Sequence, residues 1–127
     1  IVVSNQSGVA RGLFDEDALL RTHIELVRQL ASDSLVLDAL YYCPHLQDAP
    51  VRAYDQECEF RKPNPGMLLA AMSEFPVKRE QSFLIGDKET DIAAARAAGV
   101  AGFLFRDGNL AEFAEWTLAG FEDGNRG

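Results

Sequence analysis

The sequence predicts an α/β fold, a parallel sheet flanked by helices, and three observations carry that prediction. Short apolar runs alternate with helix-forming segments, the pattern that builds strand-helix-strand units. Each of three apolar runs stops at a polar cluster: Ile1 to Val3 at Ser4-Asn5-Gln6-Ser7-Gly8, Leu35 to Tyr42 at Cys43-Pro44-His45, and Ser82 to Ile85 at Gly86-Asp87-Lys88. Helix signals stand where they belong, with Asp15 before one helix, Pro65 in the first turn of another and Gly99 after the end of a third.

Taken in order, Ile1 to Val3 reads as a buried strand. Asp15 then caps a helix over 16–31, with Glu16 and Asp17 in its first turn where negative charge suits the dipole. Leu20, Ile24, Val27 and Ala31 fall on one face, which is expected to meet the core. Leu35 to Tyr42 reads as the second strand. The polar loop after it, about twenty residues, is longer than ordinary connections and is therefore functional or tied down. Asn64-Pro65 opens a helix that offers Leu68, Leu69 and Met72 to the core. A strand to Ile85, a helix from Thr90 to Ala98 and a strand from Val100 to Phe105 follow. The end of the chain reads as a short helix at 111–114, a last strand at 116–118, and a flexible tail over 121–127. The folded domain is thus expected over 1–120.

With 127 residues, 47% hydrophobic and 25% charged, the chain is long enough for one core. Its net charge of −8 excludes a nucleic-acid surface, which needs clustered Lys and Arg. No apolar run reaches the roughly 18 to 20 residues that span a bilayer, and no signal-peptide pattern is present, so a cytoplasmic protein away from membranes is expected. An anionic substrate would require locally concentrated positive charge, which directs attention to Arg61, Lys62 and Lys88. The chain also begins Ile-Val-Val, without methionine and inside an apolar run, as a fragment starting mid-strand would.

The stretch Ile85-Gly86-Asp87-Lys88-Glu89-Thr90-Asp91 reads as a metal and phosphate corner. Ligands collect at the carboxyl ends of parallel strands, and Mg²⁺ takes oxygen ligands from one or two carboxylates, water and substrate phosphate. Asp87 is the candidate ligand; the bland alternative makes Gly86 and Asp87 turn formers and Thr90 a helix cap. Ser4 to Ser7 and Arg61-Lys62 lie at other ends that can share that edge, and together these groups suit a phosphoryl group. Singly they read as a loop-forming pair, a solvated basic pair and, at Lys88, an exposed helix start.

Cys43, His45 and Cys58 resemble part of a tetrahedral zinc site, with Glu57, Glu59 or water as the fourth ligand. Two unrelated buried thiols or a disulfide are the alternatives, the latter disfavoured in a reducing compartment. His23 reads as a helix-boundary histidine and Trp116 as a packing residue. No Ser-His-Asp triad or P-loop can be assembled.

Four segments in this order, Val3-Ser4-Asn5-Gln6-Ser7-Gly8-Val9-Ala10-Arg11-Gly12, Tyr41-Tyr42-Cys43-Pro44-His45, Arg61-Lys62-Pro63-Asn64-Pro65-Gly66-Met67-Leu68 and Ile85-Gly86-Asp87-Lys88, resemble the haloacid dehalogenase (HAD) superfamily. Within it the chain is similar to the histidinol-phosphate and D,D-heptose 1,7-bisphosphate phosphatases, and more so to the latter. The resemblance covers Ile1 to about Leu118. It implies a Rossmann-like three-layer fold and Mg²⁺-dependent hydrolysis of a phosphorylated small molecule through an aspartyl-phosphate. The substrate implied is heptose 1,7-bisphosphate, cleaved at its 7-phosphate by a protein monomeric when complete. Histidinol phosphate, or binding without catalysis, are the alternatives. By motif, Ser4 and Lys62 would stabilise the phosphoryl group and Asp87 would hold Mg²⁺. Arg61 would read the distal part of the substrate, Asn5, Gln6, Ser7 and Lys88 would complete the contacts, and Asp91 would orient. Two departures stand out. The family's Asp-x-Asp-Gly-Thr nucleophile motif occurs nowhere in the chain, so the expectation is a sheet missing its first strand and no turnover by this polypeptide alone. The zinc-bearing members have a second cysteine where this chain has Phe60, so Zn²⁺ on Cys43, His45 and Cys58 in the 43–62 loop would lack its fourth protein ligand.

Overall fold

Val2–Asn5 form β1 and Leu40–Cys43 form β2, joined by the long helix α1, Glu16–Ser32, in a computed structural model that describes residues 1–125. These elements belong to the first of two compact units, Ile1–Arg61; the second begins at Lys62. β1 and β2 are parallel, with Val2 opposite Leu40, Ser4 opposite Tyr42 and Asn5 opposite Cys43. Parallel pairing requires a crossover, and α1 supplies it.

Asp15 caps α1 as expected, its Oδ1 accepting a hydrogen bond from the Ala18 N–H at 2.8 Å. The face turned inward is not the expected one. Leu20, Ile24 and Val27 are 56%, 59% and 46% exposed, while Leu19 is buried and the half-buried His23 ring lies 5.4 Å from that of Tyr42. Leu19, His23, Leu26 and Leu30 repeat at the same three-to-four-residue spacing one position earlier, so periodicity alone does not choose between the stripes. Contacts of the helix start favour the earlier one: the Tyr42 hydroxyl donates to Glu16 Oε2 at 3.3 Å.

α1 ends in a Schellman arrangement, with Ser34 at φ 61°, the Ser34 N–H bonded to the Ala31 carbonyl and the Leu35 N–H to that of Leu30. This closure consumes residues expected to begin the second strand. Leu35 and Val36 are accordingly exposed, and β2 starts only at Leu40. The loop beyond β2 is tied down: Val51 N–H bonds to the Ala10 carbonyl and Leu46 N–H to that of Tyr54, both at 3.1 Å. Asp55 Oδ1 accepts from the Asp48 and Ala49 N–H groups.

The second unit contains α2 (Gly66–Glu74), β3 (Phe83–Gly86), α3 (Glu89–Ala98), β4 (Ala101–Leu104) and α4 (Leu110–Asn125). β3 and β4 pair in parallel, Phe83 opposite Ala101 through Gly86 opposite Leu104. Each unit thus holds one two-stranded parallel sheet. Ala95, Ala98 and Val100 form the buried centre, with Leu68, Met72 and Leu84 packed on it. α3 stops at Gly99, whose φ of 78° is a conformation L side chains resist.

The end of the chain departs from expectation. α4 is one continuous helix, replacing the short helix, the strand at 116–118 and the described part of the tail; residues 126 and 127 lie outside the described residues. Its aromatic positions explain this. Phe113, Thr117 and Phe121 recur every four residues; Phe121 sits 5.2 Å from the Phe83 ring, Phe113 5.4 Å from that of Phe105, and Thr117 is buried. That packing outweighs the helix penalty of Gly120 and Gly124. Trp116, expected to pack, is 68% exposed on the outer side. Among the described residues no helix is long and apolar enough to cross a membrane.

Candidate metal and phosphate sites

In the first unit β1 delivers Ser4 and Asn5 to its carboxyl end. The Gln6 side-chain amide donates to Ser4 Oγ at 2.7 Å, and the Gln6 backbone N–H donates to the Cys43 carbonyl at 2.8 Å. Ser4 through Ser7 are half-buried. The Ser4 hydroxyl accepts from Gln6 and keeps its own O–H to donate.

β2 ends at Cys43, which is wholly buried. Its sulfur lies 3.9 Å from His45 Nδ1, and donor atoms of Cys43, His45 and Cys58 all lie within 4.8 Å of one another. No disulfide joins Cys43 and Cys58, so the disulfide alternative is not formed. Burial pushes the Cys43 thiol up to about 11; the neighbouring Cys58 sulfur adds to the rise, while the His45 backbone N–H and the Arg61 charge oppose it. Two sulfurs and an imidazole suit Zn²⁺, whose ligands are thiolate and neutral histidine. Among the described residues no carboxylate joins the group: Glu57 and Glu59 are exposed, and Phe60 is half-buried. Arg61 has a buried Nη1 with no hydrogen-bond partner, an uncommon state for a buried donor and one an anionic acceptor would relieve.

In the second unit the end of β3 is organised around Asp91. This carboxylate is 5% exposed, and its Oδ1 pairs with the Lys62 ammonium at 2.5 Å. Its Oδ2 accepts the Lys88 N–H at 3.0 Å. Burial would raise the Asp91 pKa, but Lys62 and the backbone N–H groups of Lys88 and Asp87 together hold it below the ordinary carboxylate value. Gly86 makes this possible, because a Cβ there would run into the Asp91 carboxyl group. Asp87 and Lys88 are exposed. Asp91 is therefore saturated by protein, and Asp87 is the carboxylate that can offer oxygen to a hard cation such as Mg²⁺.

The residues singled out from the sequence thus form three local sets: Ser4 with Gln6; Cys43 with His45 and Cys58; and Lys62 with Lys88 and Asp91. The Lys62–Asp91 pair went unread in the sequence. The available signal was an acid at the third position of a helix, placed to receive the N–H of the cap residue.

Residues 59–117 match the family model described as HAD-hydrolase-like. A D-glycero-beta-D-manno-heptose-1,7-bisphosphate 7-phosphatase of Rhodopseudomonas palustris is 39% identical over 117 residues, covering 92% of this chain and 65% of the relative. The crystal structure of D,D-heptose 1,7-bisphosphate phosphatase from B. bronchiseptica, complexed with magnesium and phosphate, superposes with a TM-score of 0.73 at 36% identity, over 91% of this chain and 61% of that one. Over these stretches the chain is similar to HAD-like hydrolases and to heptose bisphosphate phosphatases. Another HAD-like protein, from Mesorhizobium loti and described as a phosphatase, superposes with a TM-score of 0.83 at 28% identity, over 96% of this chain and 65% of its own. The chain spans less than two thirds of each of these three relatives. These likenesses agree with the HAD-like resemblance carried by the four sequence segments and with the α/β class.

Proposed function

We propose that this HAD-like chain forms part of a phosphatase that removes the 7-phosphate of D-glycero-D-manno-heptose 1,7-bisphosphate with the help of Mg²⁺. The observation that carries the reading is the 39% identity, over 92% of the chain, to a relative with that activity in its name.

The chemistry available fits it. Phosphoryl transfer is catalysed mainly by positioning and charge neutralisation. Bound Mg²⁺ would supply positive charge to the phosphate oxygens. Asp87 would hold the ion. Lys62, steadied by Asp91, presents its ammonium, and Lys88 adds a second positive charge. Ser4 donates its hydroxyl to a phosphoryl oxygen, with Asn5, Gln6 and Ser7 lining the turn, and Arg61 uses its unpartnered Nη1 on the second anionic group of the substrate. The nucleophilic aspartate of the reading has no counterpart in the chain, because no Asp-x-Asp-Gly-Thr motif occurs in it. Cys43, His45 and Cys58 would hold Zn²⁺, which would tie the 43–62 loop as structural metals do where little core exists.

The test is phosphate release from heptose 1,7-bisphosphate with Mg²⁺, comparing the chain with a version extended by the amino-terminal segment of the R. palustris relative. Turnover in the extended version alone is the expected result. Turnover in neither sinks the reading in favour of binding without catalysis, and a strong preference of the extended version for histidinol phosphate overturns the substrate.

A further inference from the structure

We infer that Glu16, in the first turn of α1, is the latch that fixes the loop after β2 in the shape that gathers Cys43, His45 and Cys58, and that it acts through Tyr54. The inference rests on the zinc reading above and adds to it two positioning residues that stand outside the donor cluster.

Between Cys43 and Cys58 only Pro44 and Ala49 are buried, so apolar packing does little to shape this loop. Polar contacts shape it instead, and several of them meet at Tyr54. The Tyr54 carbonyl accepts the N–H groups of Leu46 and Gln56, both at 3.1 Å, which joins the stretch beside His45 to the stretch that leads to Cys58. The Tyr54 ring stands 6.1 Å from the His45 ring at an interplanar angle of 45°. Displacing Tyr54 therefore disturbs one donor directly and the approach to a second.

Tyr54 is in turn held by Glu16. That residue is half-buried, whereas Asp15 and Asp17 on either side of it are exposed. Burial first, then the Glu16 charge and a hydrogen bond to Glu16, raise the Tyr54 hydroxyl above its ordinary value. The Tyr42 hydroxyl donates to the same carboxylate at 3.3 Å, and Tyr42 immediately precedes Cys43. One carboxylate thus receives two phenols, one from the strand that ends in Cys43 and one from the loop that returns Cys58. Hydrogen bonds to an ionised acceptor are the strong ones, and residues that orient a metal-binding histidine from outside change affinity by about 10- to 100-fold.

The experiment uses Co²⁺ as the probe and compares the chain with Tyr54→Phe, which keeps the ring and the carbonyl, and with Glu16→Gln, which keeps the shape and removes the charge. Each variant should bind Co²⁺ about tenfold more weakly, and the double variant no more weakly than either, because both break one link. Before any metal is added, each should also speed hydrogen exchange at the Leu46 and Gln56 amides while leaving the middle of α1 unchanged. Asp17→Asn, a change in the same first turn that removes no bond to Tyr54, should alter neither readout. Unchanged Co²⁺ affinity and unchanged exchange in both variants overturn the inference, and so does an effect confined to the amides of α1. Failure of the unsubstituted chain to bind Co²⁺ defeats the zinc reading, and exchange at the two loop amides then decides the latch by itself.

Discussion

At the end of β3 the Asp91 carboxylate meets an ammonium and backbone N–H groups supplied by its own unit. At the end of β2, Cys43, His45 and Cys58 converge with no hard partner among them, and the buried thiol is held protonated. Both corners follow a parallel strand and both gather polar atoms. They differ in where the balancing charge comes from. The first is finished by protein and should contribute to stability as it stands; the second, on the reading above, is finished by an ion. Clustered functional groups therefore do not by themselves mark a ligand site, and unsatisfied valence is the better sign.

The sharpest way to break the comparison is Asp91→Ala, which leaves the Lys62 ammonium, 12% exposed, without its carboxylate. Removing one partner of a buried pair costs about 3 to 5 kcal/mol, and urea denaturation should show a loss of that order. A loss like that of a surface pair would mean the corner is not self-completed. The same carboxylate sets a pH dependence. Its folded pKa lies below the ordinary 3.8, so its contribution is full above that value and is lost as pH falls through the depressed one. Asp91→Asn should remove this acid-side decline. Glu25, drawn down to about 2 by Arg28 and then Gln29, lies on an exposed helix face, and Glu25→Gln should leave the decline in place.

Gly86→Ala should come next, since the added methyl meets the Asp91 carboxyl group; overpacking of this kind costs about 1 to 3 kcal/mol. Most of that loss should vanish in the Asp91→Ala background, a coupling that equilibrium denaturation of the four variants of a cycle measures. In the first unit, Asp15→Ala should cost about 1 kcal/mol by removing the α1 cap. Thermal denaturation would place it below both corner variants. A larger loss would mean that the first unit leans on its helix start more heavily than on its loop.

Much of the fold was legible because its punctuation is local. Asp15, Gly99 and the polar stops after β1, β2 and β3 each act within a few residues, and α1, α3, β1 and β3 fall close to the expected ranges, while β2 ends at its stop but begins at Leu40 rather than Leu35. What could not be read depends on partners distant in sequence. Leu19 rather than Leu20 turns inward because of where Tyr42 stands, and α4 runs unbroken because Phe121 finds Phe83. The donors of the metal cluster were visible as residue types, and their convergence needed the loop. The Lys62–Asp91 pair spans the whole of α2 and β3, beyond the reach of any spacing rule.

The hydrogen bond from the Gln6 N–H to the Cys43 carbonyl gives the first unit a mechanical link. That amide cannot open without loosening the residue that anchors the metal cluster. An ion gripping Cys43 would therefore stiffen the turn carrying Ser4 through Ser7, and the ease with which that turn frays becomes a gauge of how full the cluster is.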